Sequence, residues 1–85
     1  MSVAIQIRYF ASLREALGPR ESLDLPEGST LGALRDALID CSPGHAQALA
    51  RSRAVRCALN QRLCDESVRL EENAEVAFFP PVTGG

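Results

Sequence analysis

Glu75-Val76-Ala77-Phe78-Phe79-Pro80-Pro81-Val82-Thr83-Gly84-Gly85 closes the chain, and its two halves have opposite character. In the first half Val76 and Phe78 fall on one side of an extended backbone and Ala77 and Phe79 on the other, the period of a strand. In the second half Pro80 and Pro81 remove backbone donors and fix φ, so the strand stops and the segment is expected to project as an extended, flexible tail. Six such residues reach roughly 20 Å. Gly84 and Gly85 have no side chains, which gives the tail a narrow end suited to entering a tunnel in another protein. A terminal Gly-Gly pair alone is weak evidence, since ordinary glycine usage produces one in roughly 200 chains; a pair carried by a strand running straight into Pro-Pro is much stronger.

The residues before this run supply the rest of a sheet and one helix. Val3 to Phe10 alternates Val3, Ile5, Ile7 and Tyr9 against Ala4, Gln6, Arg8 and Phe10, a half-buried first strand. Ala11 to Leu17 is a short helix carrying Leu13 and Leu17, stopped by Gly18-Pro19. Glu21 to Leu25 alternates again and pairs back as a hairpin. Thr30 caps a main helix over Leu31 to Cys41, whose apolar stripe is Leu31, Leu34, Leu38 and Cys41; Ser42-Pro43-Gly44 ends it. Another helical turn is expected within His45 to Arg53. Val55 to Leu59 reads as a third strand, Asn60-Gln61 as a turn, and Leu63 to Val68 or Leu70 as a short fourth strand. The economical packing of these elements is an α+β domain, a mixed sheet on one main helix, which is the β-grasp arrangement of ubiquitin. Residues 1–79 form the domain and residues 80–85 the tail.

Composition narrows the function. At 85 residues there is room for one domain, and with 46% hydrophobic and 24% charged residues it is an ordinary globular one. A net charge of −2 and a pI near 5.3 argue against nucleic acid as a partner. The cluster Arg51, Arg53, Arg56 is read as a solvated face beside a strand. No run of about 18 apolar residues and no basic leader appears, so the expected location is the cytoplasm, with no membrane partner. Cys41, Cys57 and Cys64 form no CxxC motif and are expected to be reduced thiols; Cys41 and Cys57 lie in periodic elements and read as packing residues.

With these residues in view, the chain resembles the small subunit of molybdopterin synthase, the MoaD family of ubiquitin-like sulfur carriers. The run Glu75 to Gly85 carries the resemblance, supported by Tyr9-Phe10-Ala11, Leu13-Arg14-Glu15 and Asn60-Gln61. One departure is Glu72-Asn73-Ala74, where the family often has a Gly-Asp turn; Asn73 can take the left-handed conformation that such a turn needs. The resemblance implies a non-catalytic carrier whose Gly85 carboxylate is adenylated with ATP by an E1-like enzyme and then converted by a sulfur donor to a thiocarboxylate. It implies that Pro80, Pro81, Val82, Thr83 and Gly84 insert into a large subunit, within a heterotetramer, where the sulfur passes to a cyclic pterin. No bound cofactor is expected. The same tail chemistry also fits carriers for thiazole, cysteine or tRNA thiolation, and the fold also fits a protein modifier that joins lysines.

Nothing within the domain reads as a reaction centre. His45, the single histidine, is placed in a loop with no ligand partners at metal spacing, and a Ser-His-Asp set can be assembled only arbitrarily. Strand parity instead suggests a docking surface. If Val76 and Phe78 face the helix, Phe79 faces away, as does Phe10 on the first strand, with Leu63 a third member of an apolar patch near the tail.

Overall fold

The computed structural model describes residues 1–80. Strand β1 (Ser2–Tyr9) is followed by helix α1 (Ala11–Leu17), β2 (Arg20–Pro26), α2 (Leu31–Ile39), α3 (Pro43–Leu49), β3 (Arg56–Leu59), β4 (Arg62–Cys64) and β5 (Glu75–Phe79). They build one sheet of order β2-β1-β5-β3-β4. Only β1 and β5 run parallel, in register from Gln6↔Glu75 to Tyr9↔Phe78; every other neighbouring pair is antiparallel.

The alternation expected for the first strand is what the sheet uses. Val3, Ile5, Ile7 and Tyr9 are buried and join Val76 and Phe78 of β5 in one core with Leu31, Leu34 and Leu38 of α2. Thr30 caps α2, accepting a hydrogen bond from the Ala33 amide at 3.2 Å. The next orphan amides of that helix are met from across the chain: Leu31 N–H donates to the Val68 carbonyl and Gly32 N–H to the Glu66 carbonyl, each at 2.9 Å. Gly32 eases this approach, since a Cβ there would stand a tight 3.3 Å from the Glu66 carbonyl oxygen. Asn73 takes the left-handed conformation expected of it, with φ 61°.

Several expectations are corrected. Helix α2 ends at Ile39, with Asp40 as its C-cap, so Cys41 falls outside the stripe and is exposed. Ser42-Pro43-Gly44 does not merely stop α2. Ser42 is the N-cap of α3 and Pro43 its first residue, where the missing amide costs nothing. His45 is therefore helical, and Ala48 and Leu49 of α3 reach the core. The fourth strand is shorter than expected because Asp65 turns the chain, its carboxylate accepting from the Ser67 amide at 2.9 Å. Residues 66–70 then serve as a cap over α2, joined to it by the isolated bridge Thr30↔Arg69.

The segment is held there by a buried arginine that periodicity does not reveal. Arg35, 4% exposed, donates from Nε to the Leu49 carbonyl at 2.8 Å and from one terminal nitrogen to the Ala50 and Arg53 carbonyls at 2.7 and 3.1 Å. Its other terminal nitrogen meets Glu66 Oε2 at 2.7 Å. Arg51, expected on a solvated face, bonds both Glu66 and Asp36. Partial burial pushes the Glu66 carboxyl up, but the hydrogen bonds from Arg51 and Arg35 prevail and hold it below the ordinary glutamate value.

Arg35→Ala leaves the buried Leu49 carbonyl without its side-chain donor, while the Ala50 and Arg53 carbonyls keep backbone amides and Glu66 keeps Arg51, and urea unfolding is expected to show a loss of about 1–3 kcal/mol. The lowered Glu66 carboxyl also fixes a pH dependence. Since the folded state binds this proton less readily than the unfolded chain, its contribution is complete above the unfolded glutamate pKa and drains away as pH falls through the folded value. Unfolding free energy measured from about pH 5 down to about pH 3 should decline less steeply in Glu66→Gln than in the parent chain.

Candidate functional site

The helices cover one face of the sheet, and the opposite face carries the residues that strand parity singled out. Arg8, Ala77, Ala58 and Leu63 are successive register partners across β1, β5, β3 and β4, so their side chains share that outer face. One step along, Phe79 pairs with Arg56. Phe10 joins them because the chain turns sharply at Ala11, whose φ is 54°. This positive φ, unfavourable for a residue with a Cβ, leaves Phe10 outside while Leu13 of α1 turns into the core.

The patch has a definite construction. The Phe10 and Phe79 rings stack with centroids 5.1 Å apart and planes 19° from parallel, and the Arg8 guanidinium carbon stands 5.5 Å from the Phe10 centroid. Such contacts orient the rings at low entropic cost. Ala58 and Ala77 are small enough to form a floor between Phe79 and Leu63, giving an open groove of about 360 Å³ with Arg8 and Glu75 on its rim. Leu63 is 71% exposed, a large apolar side chain left to water. Phe10, Leu63 and Phe79 are thus brought together as expected. Arg8, Ala58 and Ala77 complete the patch; alternation places Arg8 and Ala77 on this face, and Ala58 follows once the Asn60-Gln61 turn fixes the register.

Strand β5 runs out of the middle of this sheet into Pro80, half-buried beside Leu13, Ala48 and Val55. The root of the expected tail therefore lies next to the Phe10–Phe79 stack. Pro81, Val82, Thr83, Gly84 and Gly85 lie outside the described residues.

Other polar groups fold into structural bonds. A Ser-His-carboxylate chain is in fact assembled: Ser42 Oγ lies 2.7 Å from His45 Nδ1, and His45 Nε2 lies 2.7 Å from Glu21 Oε2. Its serine, however, is the helix cap, with Oγ accepting from the His45 amide at 3.1 Å. Glu21 also accepts from the Tyr9 hydroxyl at 2.7 Å. Burial, reinforced by Glu21, pushes the Tyr9 phenol above its ordinary value. Both ring nitrogens of His45 are engaged, so the set fastens α3 to β2 and β1. Among the described residues no group of three His, Cys, Asp or Glu side chains is placed to hold a metal ion. No helix of the described residues is long and apolar enough to cross a membrane.

A mixed sheet with parallel first and last strands, order 2-1-5-3-4 and helices on one face defines the β-grasp, ubiquitin-like class. Residues 7–85 match the ThiS family, and the chain belongs to it. It is 37% identical over 81 residues to the molybdopterin synthase sulfur carrier subunit of Escherichia coli, covering 95% of this chain and 99% of that one. A protein of the same name from Mycobacterium tuberculosis is 34% identical over 85 residues, covering 98% and 99%. Among solved structures, SAMP1 from Haloferax volcanii superposes with a TM-score of 0.78 at 25% identity, covering 96% of this chain and 99% of that one. The resemblance to the ubiquitin-like sulfur carriers read from the sequence holds at the level of family and fold.

Adjacent residues of β5 test the face assignment. Phe78→Ala opens a cavity in the core and should cost about 3–5 kcal/mol, whereas Phe79→Ala, at a half-buried position, forfeits the ring stack and part of its apolar burial and should cost less, about 1–2 kcal/mol. Urea denaturation of both variants provides the comparison.

Proposed function

We propose that this chain is the sulfur-carrier subunit of a molybdopterin synthase, working in the cytoplasm, with the Gly85 carboxylate as the group that carries sulfur. The observation that carries the reading is the exit of the central strand beside a half-buried aromatic stack on the open face of the sheet, in a chain similar over its length to subunits so named. A carboxylate resists nucleophilic attack. An E1-like enzyme would overcome this by joining Gly85 to the AMP moiety of ATP, releasing pyrophosphate; a sulfur donor then displaces AMP and leaves a thiocarboxylate.

The domain's part is to present that group. Phe10, Phe79 and Leu63 form the apolar centre of the docking face for the large subunit, with Arg8 and Glu75 as its polar rim. Docking there places the root of the tail at the edge of the interface, so that Pro80 to Gly84 thread toward the partner's reaction centre. Sulfur passes to the pterin precursor there, and the catalytic side chains belong to the partner.

The test is reconstitution with activating enzyme, ATP, sulfur donor, large subunit and pterin precursor, read by intact mass and product yield. Deleting Gly85, or extending the chain beyond it, should abolish both sulfur uptake and product while the domain stays folded. Phe79→Arg should still take up sulfur but bind the large subunit at least about tenfold more weakly. Near-normal transfer by either tail variant overturns the carrier reading, and branched lysine conjugates in place of product would assign the chain to the modifiers.

A further inference from the structure

The domain holds two sulfur atoms that the proposed carrier chemistry does not use. Cys57 of β3 and Cys64 of β4 are direct partners in the antiparallel register, so both side chains stand on the helix-facing side of the sheet. Partners in such a ladder have Cα atoms about 4.5–5.5 Å apart, within the span of about 4.4–6.8 Å bridged by disulfides. The two residues already touch, the Cys57 thiol donating to the Cys64 carbonyl at 3.4 Å. Asn60 and Gln61, with φ of 49° and 73°, close the hairpin in the tight turn that fixes this register.

Access to the pair is unequal. Cys57 is 6% exposed; Cys64 is half-buried, and both line an open groove of about 360 Å³ at the β4 edge, with Arg56 in the same wall. Burial first, and the neighbouring Cys64 second, push the Cys57 thiol up to about 12, so it stays protonated while Cys64 meets solvent. Cys41 stands apart. Tyr9, Phe78, Cys57 and Cys64 form one row across four strands, whereas Cys41 is exposed just after α2.

We propose that Cys57 and Cys64 are a redox-active dithiol that closes to a cross-strand disulfide when a peroxide oxidises Cys64. The Cys64 thiolate takes one oxygen from hydrogen peroxide, whose O–O bond breaks, giving a sulfenic acid and, after protonation, one water. Cys57 Sγ then attacks the Cys64 sulfur. The S–O bond breaks, and the hydroxyl leaves with the Cys57 proton as a second water. Two thiols and one peroxide become one disulfide and two waters; the sulfurs lose two electrons and the peroxide gains them. A small dithiol reverses the change by exchange. The bond ties the edge strand that carries Leu63 to β3, and this site is independent of the chemistry proposed for Gly85.

The full chain is treated with hydrogen peroxide, alkylated after unfolding, and analysed by intact mass and non-reducing peptide mapping. The expected product is a monomer that has lost two hydrogens, alkylates only at Cys41, links the Cys57 and Cys64 peptides, and reverts with dithiothreitol. Cys41→Ser should form the same bond and then take up no alkylating agent. Cys64→Ala, at a half-buried edge position that spares the core, should lose no hydrogens within one chain. A Cys64 sulfinic acid with Cys57 still alkylatable overturns the proposal, as does cross-linking of chains through Cys41 or hydrogen loss that persists in Cys64→Ala.

Discussion

The parallel pairing of β1 with β5 is the constraint on which the rest of the molecule depends. Parallel neighbours cannot be joined by a tight turn, so the chain between them must leave the sheet and return. Here that excursion contains α2 and α3, which it lays on one face, as well as β3 and β4, which it adds on the far side of β5. One face is thereby closed over Ile5, Ile7, Val76 and Phe78, and the other is left open. Arg35 secures the arrangement by bonding three carbonyls at the end of α3 and beyond it, together with the acidic residue that follows β4.

The open face and the closed face answer different needs. On the closed side the large side chains pack into or against one core, and no buried side-chain nitrogen or oxygen among the described residues lacks a partner. On the open side two alanines keep the middle of the sheet low while phenylalanine and leucine rise at its margins. A partner inserting its own side chains there would gain apolar burial without first displacing any of this chain's structure. The same strand supplies both faces and ends beside the open one.

Much of this was legible because strands and helices leave periodic traces. The alternation from Val3 to Phe10 marks the buried face of β1, and the parity of Glu75 to Phe79 by itself turns Phe79 outward. Other features leave no such trace. Arg35 lies between Leu34 and Asp36 and looks like any helical arginine, since its partners are backbone carbonyls whose positions depend on the tertiary fold. Cys41 was read as the last step of a helical stripe, but two residues of helix were missing. Ser42-Pro43-Gly44 carried signals for both a stop and a start, and the capping geometry around His45 made it a start. The Ser42, His45 and Glu21 contact joins an early strand to a later helix, a proximity that spacing along the chain does not encode.

The position of β5 also has a bearing on synthesis. The strand at the centre of the sheet is the last to be translated, so the ribosome delivers two hairpins before the piece that joins them. Until it arrives, β1 and β3 each present an unpaired edge, and neither hairpin has enough sheet to stand alone. Closure of the sheet must therefore wait until β5 has been made, because it is the strand that joins the two hairpins. A chain that lacked β5 would leave β1 and β3 without their shared neighbour and the core without Val76 and Phe78. The topology thus makes the sheet depend on the strand made last among its five.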